Sequence, residues 1–535
     1  MNSSSSPQIA LVTVALLTCL SAPNPTRAET VRYTNAVVFG QTARSFVTRS
    51  GLMIMDHGEA EIAADRVIDL EGAFVVPRLT DAHGHLLSLG RSMEVVDLRG
   101  CRSITEVVAR LRAANLPKSG WISGRGWDQN LWKLKKFPTH EALSQAFGDR
   151  PVSLTRVDGH AIWVNRAAMA KAGVTSASQS EEGGKIIRDP DGSPSGVFVD
   201  SAMALVRKTI PKPDEADRQR WLLRAFAHAN SLGLTSVHDM GMDAETLTVL
   251  KKLDASGRVP LRIYVYMDGL LDTAKPWRGA NVRVVGVKLF ADGALGSRGA
   301  ALFDPYDDRP TQHGSLQFGD AALLRLVLEA RKRGLQPAVH AIGDRAVRQV
   351  LHAYSQAEPG WRPPHWGRLP ARVEHAQIVA EADLVRFAQL GVVASMQPTH
   401  ATSDMGWAEA RVGSTRIRGA YAWQRLKRAG ATLAFGSDFP VESADPRLGI
   451  YAAVSRQSQA GEPPGGWRAE ERMTIDDALT AFSVTPAQIV GDVAPYADFT
   501  VFAGDLRAAP EKDIPGTRVL RVVVAGKTVF KAAKR

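Results

Sequence analysis

Strand-like segments alternate with helix-like stretches through the middle of the chain, and this alternation limits the fold more than any other feature. A repeated strand–helix unit builds a parallel sheet covered by helices. The predicted strands are Ala73–His83, Leu234–Met240, Arg262–Asp268, Val282–Phe290, Gln336–Ile342, Ala371–Gln377, Val392–Pro398 and Thr432–Asp438. Eight such strands predict a (β/α)8 TIM barrel of the α/β class. A doubly wound open sheet is the alternative, but no glycine-rich dinucleotide-binding motif follows any strand.

Two regions do not follow this alternation. Short β-like runs fill residues 29–77 and recur in 490–535, which predicts a small composite β domain built from both ends of the chain. The barrel domain then spans 78–489. Residues from about 92 to 230 are too many for one strand–helix unit and are rich in Trp, Gly and Asp. We predict that they form an insertion after the first barrel strand that folds over the barrel mouth.

The first 28 residues have the pattern of a secretory signal peptide. Ile9–Leu20 is an apolar run too short to span a bilayer comfortably, and Ala28 suits a cleavage point. We predict export to the periplasm or the cell exterior; because no Lys or Arg precedes the run, a cytosolic enzyme with a frayed apolar tail is the alternative. A lipid anchor at Cys19 is not expected, since lipoprotein signals place a residue smaller than Thr18 before the cysteine.

Cysteine count and charge exclude several classes of site. After signal removal Cys101 is the sole cysteine, so an internal disulfide and a cysteine-based metal site are both excluded. The net charge of +11 is dispersed and forms no basic stripe, so we expect no nucleic-acid partner. No stable membrane insertion is expected either. The sequence leaves the oligomeric state open, a homo-oligomer included.

Candidate metal ligands fall at the ends of the predicted strands. His83 and His85 are two residues apart at the end of the first strand, so their side chains share one face. A single histidine is more often a core residue than a ligand. Residues at the carboxyl ends of barrel strands, however, meet at one mouth. The other candidates that end strands in this way are Lys288, His340, His375 and Asp438.

Lys288 needs a chemical reason to be near a metal, because an ammonium group repels cations. Reaction of its amine with CO₂ gives a carbamate, an anionic ligand that can bridge two metals. The alternative is that Lys288 stays cationic and pairs with Asp292 or with a substrate carboxylate. The sequence leaves both readings open.

The chain resembles the amidohydrolase superfamily, and within it the amidohydrolase-3 branch that contains N-substituted formamide deformylases. The resemblance runs from about residue 31 onward. Before the first metal strand the family usually has Pro-Gly, whereas this chain has Pro77-Arg78. The segments that carry the resemblance are DAHGHL, GRGWDQNLW, RVDGHAIWVN, GLTSVHDMG, VKLFADGALGSRGA, HAIGDRAV, RVEHAQ, SMQPTHATSDMGWA and FGSDFPVESADP.

The resemblance implies a barrel that binds one or two divalent ions, with zinc as the expected metal. In that arrangement His83 and His85 bind the more buried ion, and His340 and His375 bind the second. Lys288 bridges the two ions if it is carbamylated. Asp438 binds metal and takes the proton from the attacking water, then passes it to the leaving amine.

Several loop residues are candidates for substrate binding. Asp292 and Arg298 follow Lys288 into the next loop, and Gln397 follows the seventh strand. His160 and Trp127 lie in the predicted insertion. A loop-stabilising hydrogen bond or ion pair is an equally good reading for each. We favour Arg298 for orienting a substrate oxygen.

The predicted function is hydrolysis of a small non-peptide amide, such as an N-substituted formamide, by water that a bound metal activates. Cyclic-amide hydrolysis, deamination and lactone hydrolysis are alternatives on the same metal core. A non-catalytic periplasmic binder of small molecules is an alternative of another class. A metal-independent lyase or isomerase that uses the Lys288 amine is a third.

Overall fold

The computed structural model describes residues 29–56, 62–116, 120–156, 159, 161–180, 184–270, 274–357 and 369–533. The predicted signal peptide, residues 1–28, lies outside this part of the chain, and export stays a prediction. Within the described part, every helix is too short or too polar to cross a membrane.

Eight parallel strands form the central sheet, and each pairs with the next in chain order. The first and last strands approach each other, because Gly84 forms an isolated bridge with Phe439 and the Asp438 amide donates to the His83 carbonyl at 2.7 Å. The predicted barrel is therefore confirmed. Its strands are β1 (Thr80–Gly84), β2 (Ser236–Met242), β3 (Arg262–Asp268), β4 (Val282–Phe290), β5 (Gln336–Ala341), β6 (Arg372–His375), β7 (Val393–Met396) and β8 (Thr432–Phe435); a short strand, Trp277–Arg278, pairs antiparallel with β4.

The predicted first strand, Ala73–His83, is in fact two strands that belong to different sheets. Phe74–Pro77 pairs antiparallel with Phe499–Phe502, whereas β1 pairs with β2. Between them, Arg78 has φ of 56°, in the left-handed region that side chains other than Gly rarely adopt. The chain therefore changes direction at Arg78 and leaves the β domain for the barrel.

Helices cover the barrel as the alternation of the sequence predicts. Helix Leu86–Ser92 packs closely on helix Glu215–Ser231, where a Cβ at Gly90 would lie 1.9 Å from the Trp221 carbonyl oxygen. The predicted insertion, about 92–230, includes most of helix Glu215–Ser231, but the buried face of this helix joins the barrel core. The remaining helices around the barrel are Ala244–Ala255, Asp320–Lys332, Asp344–Ala357, Glu381–Leu390, Pro398–Asp404, Ala408–Arg416, Trp423–Arg428, Pro446–Ser455, Ile475–Phe482 and Val484–Ile489.

Strands from both ends of the chain build two small sheets with a shared core. In spatial order, the four-stranded sheet contains Leu52–Asp56, Ser45–Arg49, Val31–Thr34 and Arg66–Asp69. The five-stranded sheet contains Val37–Val38, Phe74–Pro77, Phe499–Phe502, Val519–Val524 and Lys527–Lys531. Tyr33, Phe46 and Phe499 pack together at ring-centroid distances of 4.9–5.2 Å and join the two sheets.

The insertion after β1 has a sheet and hydrophobic clusters of its own. In spatial order its six strands are Gly184–Arg188, Pro194–Asp200, Ala161–Val164, Val152–Arg156, Ile122–Trp127 and Val96–Asp97. Its helices are Ile104–Ala113, Glu141–Phe147, Arg166–Lys171 and Ala204–Arg207. This region therefore folds around a core separate from that of the barrel.

Candidate metal centre

The predicted ligands lie at the carboxyl ends of five barrel strands, and their side chains come together. The ring centroid of His375 lies 4.8 Å from that of His83 and 4.5 Å from that of His340. The His83 and His85 rings are 5.6 Å apart. Most of this cluster is shielded from water, since His83, Lys288, His375 and Asp438 are all buried.

Three of these residues form the tightest group. Potential ligand atoms of His83, His375 and Asp438 all lie within 4.8 Å of one another, and no other such group occurs in the described part of the chain. The grouping differs from the pairing that the family resemblance implies, because it takes one histidine from each predicted pair. The side chains at or just beyond the carboxyl ends of β1, β6 and β8 therefore come close enough together to bind one ion.

Hydrogen bonds fix the orientation of both histidine rings in this group. His83 donates from Nδ1 to the Glu374 carboxylate at 2.6 Å, and His375 donates from Nδ1 to Gln397 Oε1 at 2.8 Å. Each bond leaves Nε2 with its lone pair available. A ligating histidine commonly has such an acceptor behind its other ring nitrogen, because the acceptor sets the tautomer and the ring plane.

His85 and His340 lie at the edge of the group. His85 is more exposed than the others, and its Nε2 is 3.0 Å from Asp438 Oδ1. His340 Nε2 is 3.4 Å from Asp292 Oδ1 but forms no hydrogen bond. Burial lowers the pKa of His340 to about 3, so the ring is neutral and can act as a ligand.

Lys288 is buried in the centre and has an unusual neighbour. Its Nζ lies 3.3 Å from His83 Nε2, and no carboxylate in the described part of the chain forms an ion pair with it. Asp292, one predicted partner, instead accepts the backbone N–H groups of Ala301, Ile342 and Gly343. Burial lowers the pKa of Lys288 to about 8, which makes the neutral amine accessible near physiological pH.

Asp438 carries the negative charge of the group. Burial by itself raises its pKa, but the neighbouring histidines outweigh burial and hold the pKa well below its usual range. The carboxylate is therefore ionised at neutral pH. Asp438 and His375 both have left-handed backbone conformations, with φ of 61° and 74°. Strained backbone of this kind is common at functional sites, where it directs a side chain that regular structure would turn elsewhere.

The donor set fits a divalent transition metal. Imidazole nitrogen and carboxylate oxygen are the ligands that zinc and similar ions take in catalytic sites. The buried Nε2 atom of His340 has no hydrogen-bond partner within the described structure. Unpaired buried nitrogen is costly, so a ligand in the centre would remove part of that cost.

The three loop residues predicted to bind substrate have partners within the protein. Gln397 is the acceptor behind His375, and Asp292 holds two loops through backbone N–H groups, as described above. Arg298 donates to both carboxylate oxygens of Asp308, from Nε at 3.0 Å and from Nη2 at 2.7 Å. Each of the three side chains therefore contacts other residues of the protein in this structure, and their roles in substrate binding stay predictions.

The two candidates from the insertion are placed differently. Trp127 is fully buried in the insertion core, and its Nε1 donates to the Leu154 carbonyl at 2.9 Å. That position is a packing role and gives no support to the substrate-binding prediction for Trp127. His160 lies outside the described residues, so the prediction for it stays untested.

Four functional residues were missed by the sequence analysis. Glu374 orients His83, and Asp81 accepts hydrogen bonds from the His83 amide at 3.0 Å and from Ser437 Oγ at 2.6 Å. Arg372 forms an ion pair with Glu374 inside the barrel, with Nε and Oε1 2.7 Å apart. The fourth is His400, whose Nε2 lies 3.8 Å from Asp438 Oδ2.

Three of these four residues could have been found in the sequence. Each is a charged residue within three positions of a predicted ligand, in a segment that reads as a buried strand. Asp81 precedes His83 in TDAH, and both Arg372 and Glu374 precede His375 in RVEH. A charged side chain is rarely buried without a partner, so each of these positions indicated a buried polar contact. His400 follows β7 in QPTH, at the carboxyl end of a barrel strand like the predicted ligands.

Comparison with known proteins shows the family of this chain. A sequence model of the amidohydrolase family matches residues 66–530. The putative amidohydrolase YtcJ of Bacillus subtilis is 33% identical, over 86% of this chain and 90% of its own length. The N-substituted formamide deformylase of Arthrobacter pascens is 26% identical, over 79% of this chain and 81% of its own length.

A solved structure is similar to this chain in its fold. An uncharacterized metal-dependent hydrolase from Pyrococcus horikoshii OT3 superposes with a TM-score of 0.76 at 28% identity, covering 90% of this chain and 99% of that one. With the family match over most of the sequence, this likeness shows that the chain belongs to the amidohydrolase family and is a hydrolase.

Proposed function

We propose that the protein is a metal-dependent hydrolase that cleaves the C–N bond of a small non-peptide amide, with N-substituted formamides as the first class to test. The observation that carries the proposal is the convergence of His83, His375 and Asp438, whose potential ligand atoms lie within 4.8 Å of one another. The similarity to an N-substituted formamide deformylase supports the choice of substrate class.

Each residue of the centre has a role in the proposed reaction. His83, His85, His340, His375 and Asp438 would hold one or two divalent ions, zinc being the expected one. A bound ion would polarise the amide carbonyl and lower the pKa of a water molecule toward neutrality. Asp438, which is ionised, would accept a proton from the attacking water. It would return that proton to the nitrogen that leaves as an amine.

Lys288 has the environment that favours a carbamate. Its neutral amine would attack CO₂, form an N–C bond and release one proton, which yields an anionic group. Burial without a carboxylate partner works against the ammonium form and so supports this reading over an ion pair with Asp292. Electron density or the mass of the intact protein, recorded with and without bicarbonate, would detect the added CO₂.

The mouth offers an apolar wall to the substrate. Phe290 follows Lys288 by two residues on the same face of β4, and its ring centroid is 5.5 Å from that of His340. Its side chain is 43% exposed, unusual for a large apolar residue beside a buried polar cluster. We propose that an apolar substituent of the amide lies against Phe290.

The test begins with metal content and then turns to turnover. Protein purified without added metal is analysed by elemental mass spectrometry, beside His83→Ala/His85→Ala. N-substituted formamides are then offered, and amine and formate release are measured. We expect stoichiometric metal in the unchanged protein, a sharp loss in the double variant, and release of both products. His313→Ala/His352→Ala is the matched control, because it removes two exposed histidines that are not part of the group of potential ligands.

Each alternative predicts a different result. Absence of metal in both proteins, even after reconstitution with divalent ions and bicarbonate, would overturn the metal-dependent mechanism. Binding without turnover at saturating metal would identify a small-molecule binder. Activity that resists chelators and leaves a borohydride-trapped adduct on Lys288 would identify an amine-based enzyme. Release of ammonia or of a hydroxy acid would favour deamination or lactone hydrolysis.

A further inference from the structure

His400 is a histidine near the centre that neither the sequence analysis nor the proposed reaction uses. It lies in helix Pro398–Asp404, which follows β7, and it is 9% exposed. Its ring is nearly parallel to that of His375, with the two centroids 6.0 Å apart. Nε2 has no hydrogen-bond partner within the described structure, although the atom is buried.

Gln377 determines which nitrogen of His400 carries the hydrogen. Gln377 is buried, and its Nε2 lies 3.3 Å from His400 Nδ1. An amide N–H can only donate, so Nδ1 is the acceptor and the hydrogen of the neutral ring is on Nε2. The unpaired atom of His400 is therefore a hydrogen-bond donor.

The Nε2–H donor of His400 lies nearest to the Asp438 carboxylate oxygen that faces away from His83 and His85. Oδ1 of Asp438 is the oxygen nearest to His85 and His83, at 3.0 Å and 3.6 Å. His400 Nε2 is instead nearest to Oδ2, at 3.8 Å, which is too long for a hydrogen bond. The space between His400 and the carboxylate is thus on the side away from the β1 histidines.

A metal-binding role for His400 agrees less well with these contacts. It is not part of the group of ligand atoms within 4.8 Å that His83, His375 and Asp438 form. With its hydrogen on Nε2, the nitrogen that faces the centre has no lone pair to offer a metal. A buried N–H donor without a partner is suited to a group that arrives with the substrate.

We propose that His400 is a further catalytic residue, which donates a hydrogen bond from Nε2 to the substrate carbonyl oxygen as that oxygen gains negative charge. Gln377 is its positioning residue. The inference rests on the proposed hydrolysis and specifies how the chain stabilises the oxygen. It also limits substrates to compounds whose reacting carbon bears an oxygen, such as amides and esters.

The test compares His400→Leu, which removes the donor, with His400→Gln, whose side-chain amide can still donate. Metal content should be unchanged in both. With the formamide that the unchanged protein hydrolyses best, we expect kcat to fall about 10²–10³-fold in His400→Leu, with little change in KM. His400→Gln should recover a large part of that loss. Gln377→Leu should give an intermediate loss, because the ring remains but its tautomer is no longer fixed.

A binding measurement separates this inference from the proposed function. Methylphosphonate, a tetrahedral anion, is titrated into the metal-loaded protein by calorimetry. We expect His400→Leu to bind it about tenfold more weakly than the unchanged protein and His400→Gln to bind it nearly as well. If no amide is hydrolysed but this pattern holds, the proposed function fails, whereas a hydrogen bond from His400 to a negatively charged oxygen at the centre stands.

Three results would overturn the role of His400. One is loss of metal in His400→Leu or His400→Gln, which would make His400 a ligand. Another is equal methylphosphonate affinity, or none, in all the proteins. The third is a kcat in His400→Leu equal to that of the unchanged protein. If His400→Leu does not fold, the same three quantities, which are metal content, methylphosphonate affinity and kcat, are compared between the unchanged protein, His400→Gln and Gln377→Leu.

Discussion

The barrel mouth and the tryptophan cluster of the insertion bury their polar atoms in opposite ways. At the mouth, ionisable residues are buried and some of their polar atoms, such as His340 Nε2, have no partner within the described structure. In the insertion, Trp127, Trp132 and Trp163 pack at centroid distances of 6.0–6.1 Å. Each of these indoles donates its N–H to a backbone carbonyl, at 2.9–3.2 Å.

Unpaired buried polar atoms are typical of a functional site, whereas fully paired ones are typical of a structural core. An unsatisfied buried polar group costs free energy of folding, so it persists where a ligand or a reaction requires it. A satisfied aromatic cluster has no such requirement, and its contribution is stability. Substitutions at the mouth should therefore change chemistry more than stability, and substitutions in the insertion core should do the reverse.

The largest effect is expected for Asp438→Asn. The amide keeps the size of the side chain but cannot accept the proton of the attacking water, so we expect kcat to fall by about 10²–10⁴-fold. Stability should fall only modestly, because the variant loses an ionised carboxylate whose pKa is lowered in the folded protein but keeps the size of the side chain. Initial rates at saturating metal, measured beside thermal unfolding, check both statements. A collapse of the melting temperature with kcat unchanged would break the comparison.

Trp127→Ala should show the opposite behaviour. Removal of a fully buried indole from the insertion core should lower the free energy of unfolding by about 3–5 kcal/mol. Metal content and kcat should stay unchanged in the protein that remains folded. Denaturant titration followed by Trp fluorescence measures the free energy of unfolding, and elemental analysis measures the metal content. A folded variant with normal stability but a raised KM would restore the prediction that Trp127 binds substrate.

Glu374→Gln sharpens the comparison within the mouth itself. Burial raises the pKa of Glu374, but Arg372 and His83 outweigh burial and keep it ionised. The amide would hold His83 less firmly, and we expect metal affinity to fall by about 10–100-fold. Gln397→Leu, which removes the acceptor behind His375, is the matched variant, and it leaves Arg372 paired. Competition with a chromophoric chelator gives both affinities; unchanged values would mean that neither ring needs its acceptor.

The alternation of strand-like and helix-like segments in the sequence was enough to predict the barrel. Seven of the eight strands lie where this alternation placed them, whereas β1 is only the second part of the predicted first strand. The break at Arg78 was missed because residues on both sides of it are β-forming, and a left-handed φ leaves no mark in composition. Pro77-Arg78, where the family has Pro-Gly, was the one available sign.

The candidate ligands were easier to identify from the sequence than the residues that orient them, for a physical reason. In a regular strand, neighbours point to opposite faces, so an inward His375 would turn Glu374 away from the centre. The left-handed backbone at His375 lets both side chains reach the barrel interior. The contact between Glu374 and His83 also joins residues 291 positions apart in the sequence. Neither the conformation nor the contact can be read from a local segment.

The smallest effect is expected for Arg298→Ala, paired with Asp308→Ala. The guanidinium of Arg298 is bound to Asp308, which Arg411 also contacts. If the ion pair only holds the loop, both variants should change kcat/KM alike and by less than about fivefold, because a partly exposed ion pair contributes at most about 1 kcal/mol. If Arg298 instead orients a substrate oxygen, Arg298→Ala should raise KM. Asp308→Ala, which frees the guanidinium, should then leave KM unchanged or lower it. Steady-state kinetics on the two variants distinguishes these outcomes and decides whether this loop belongs with the reactive mouth or with the stable insertion.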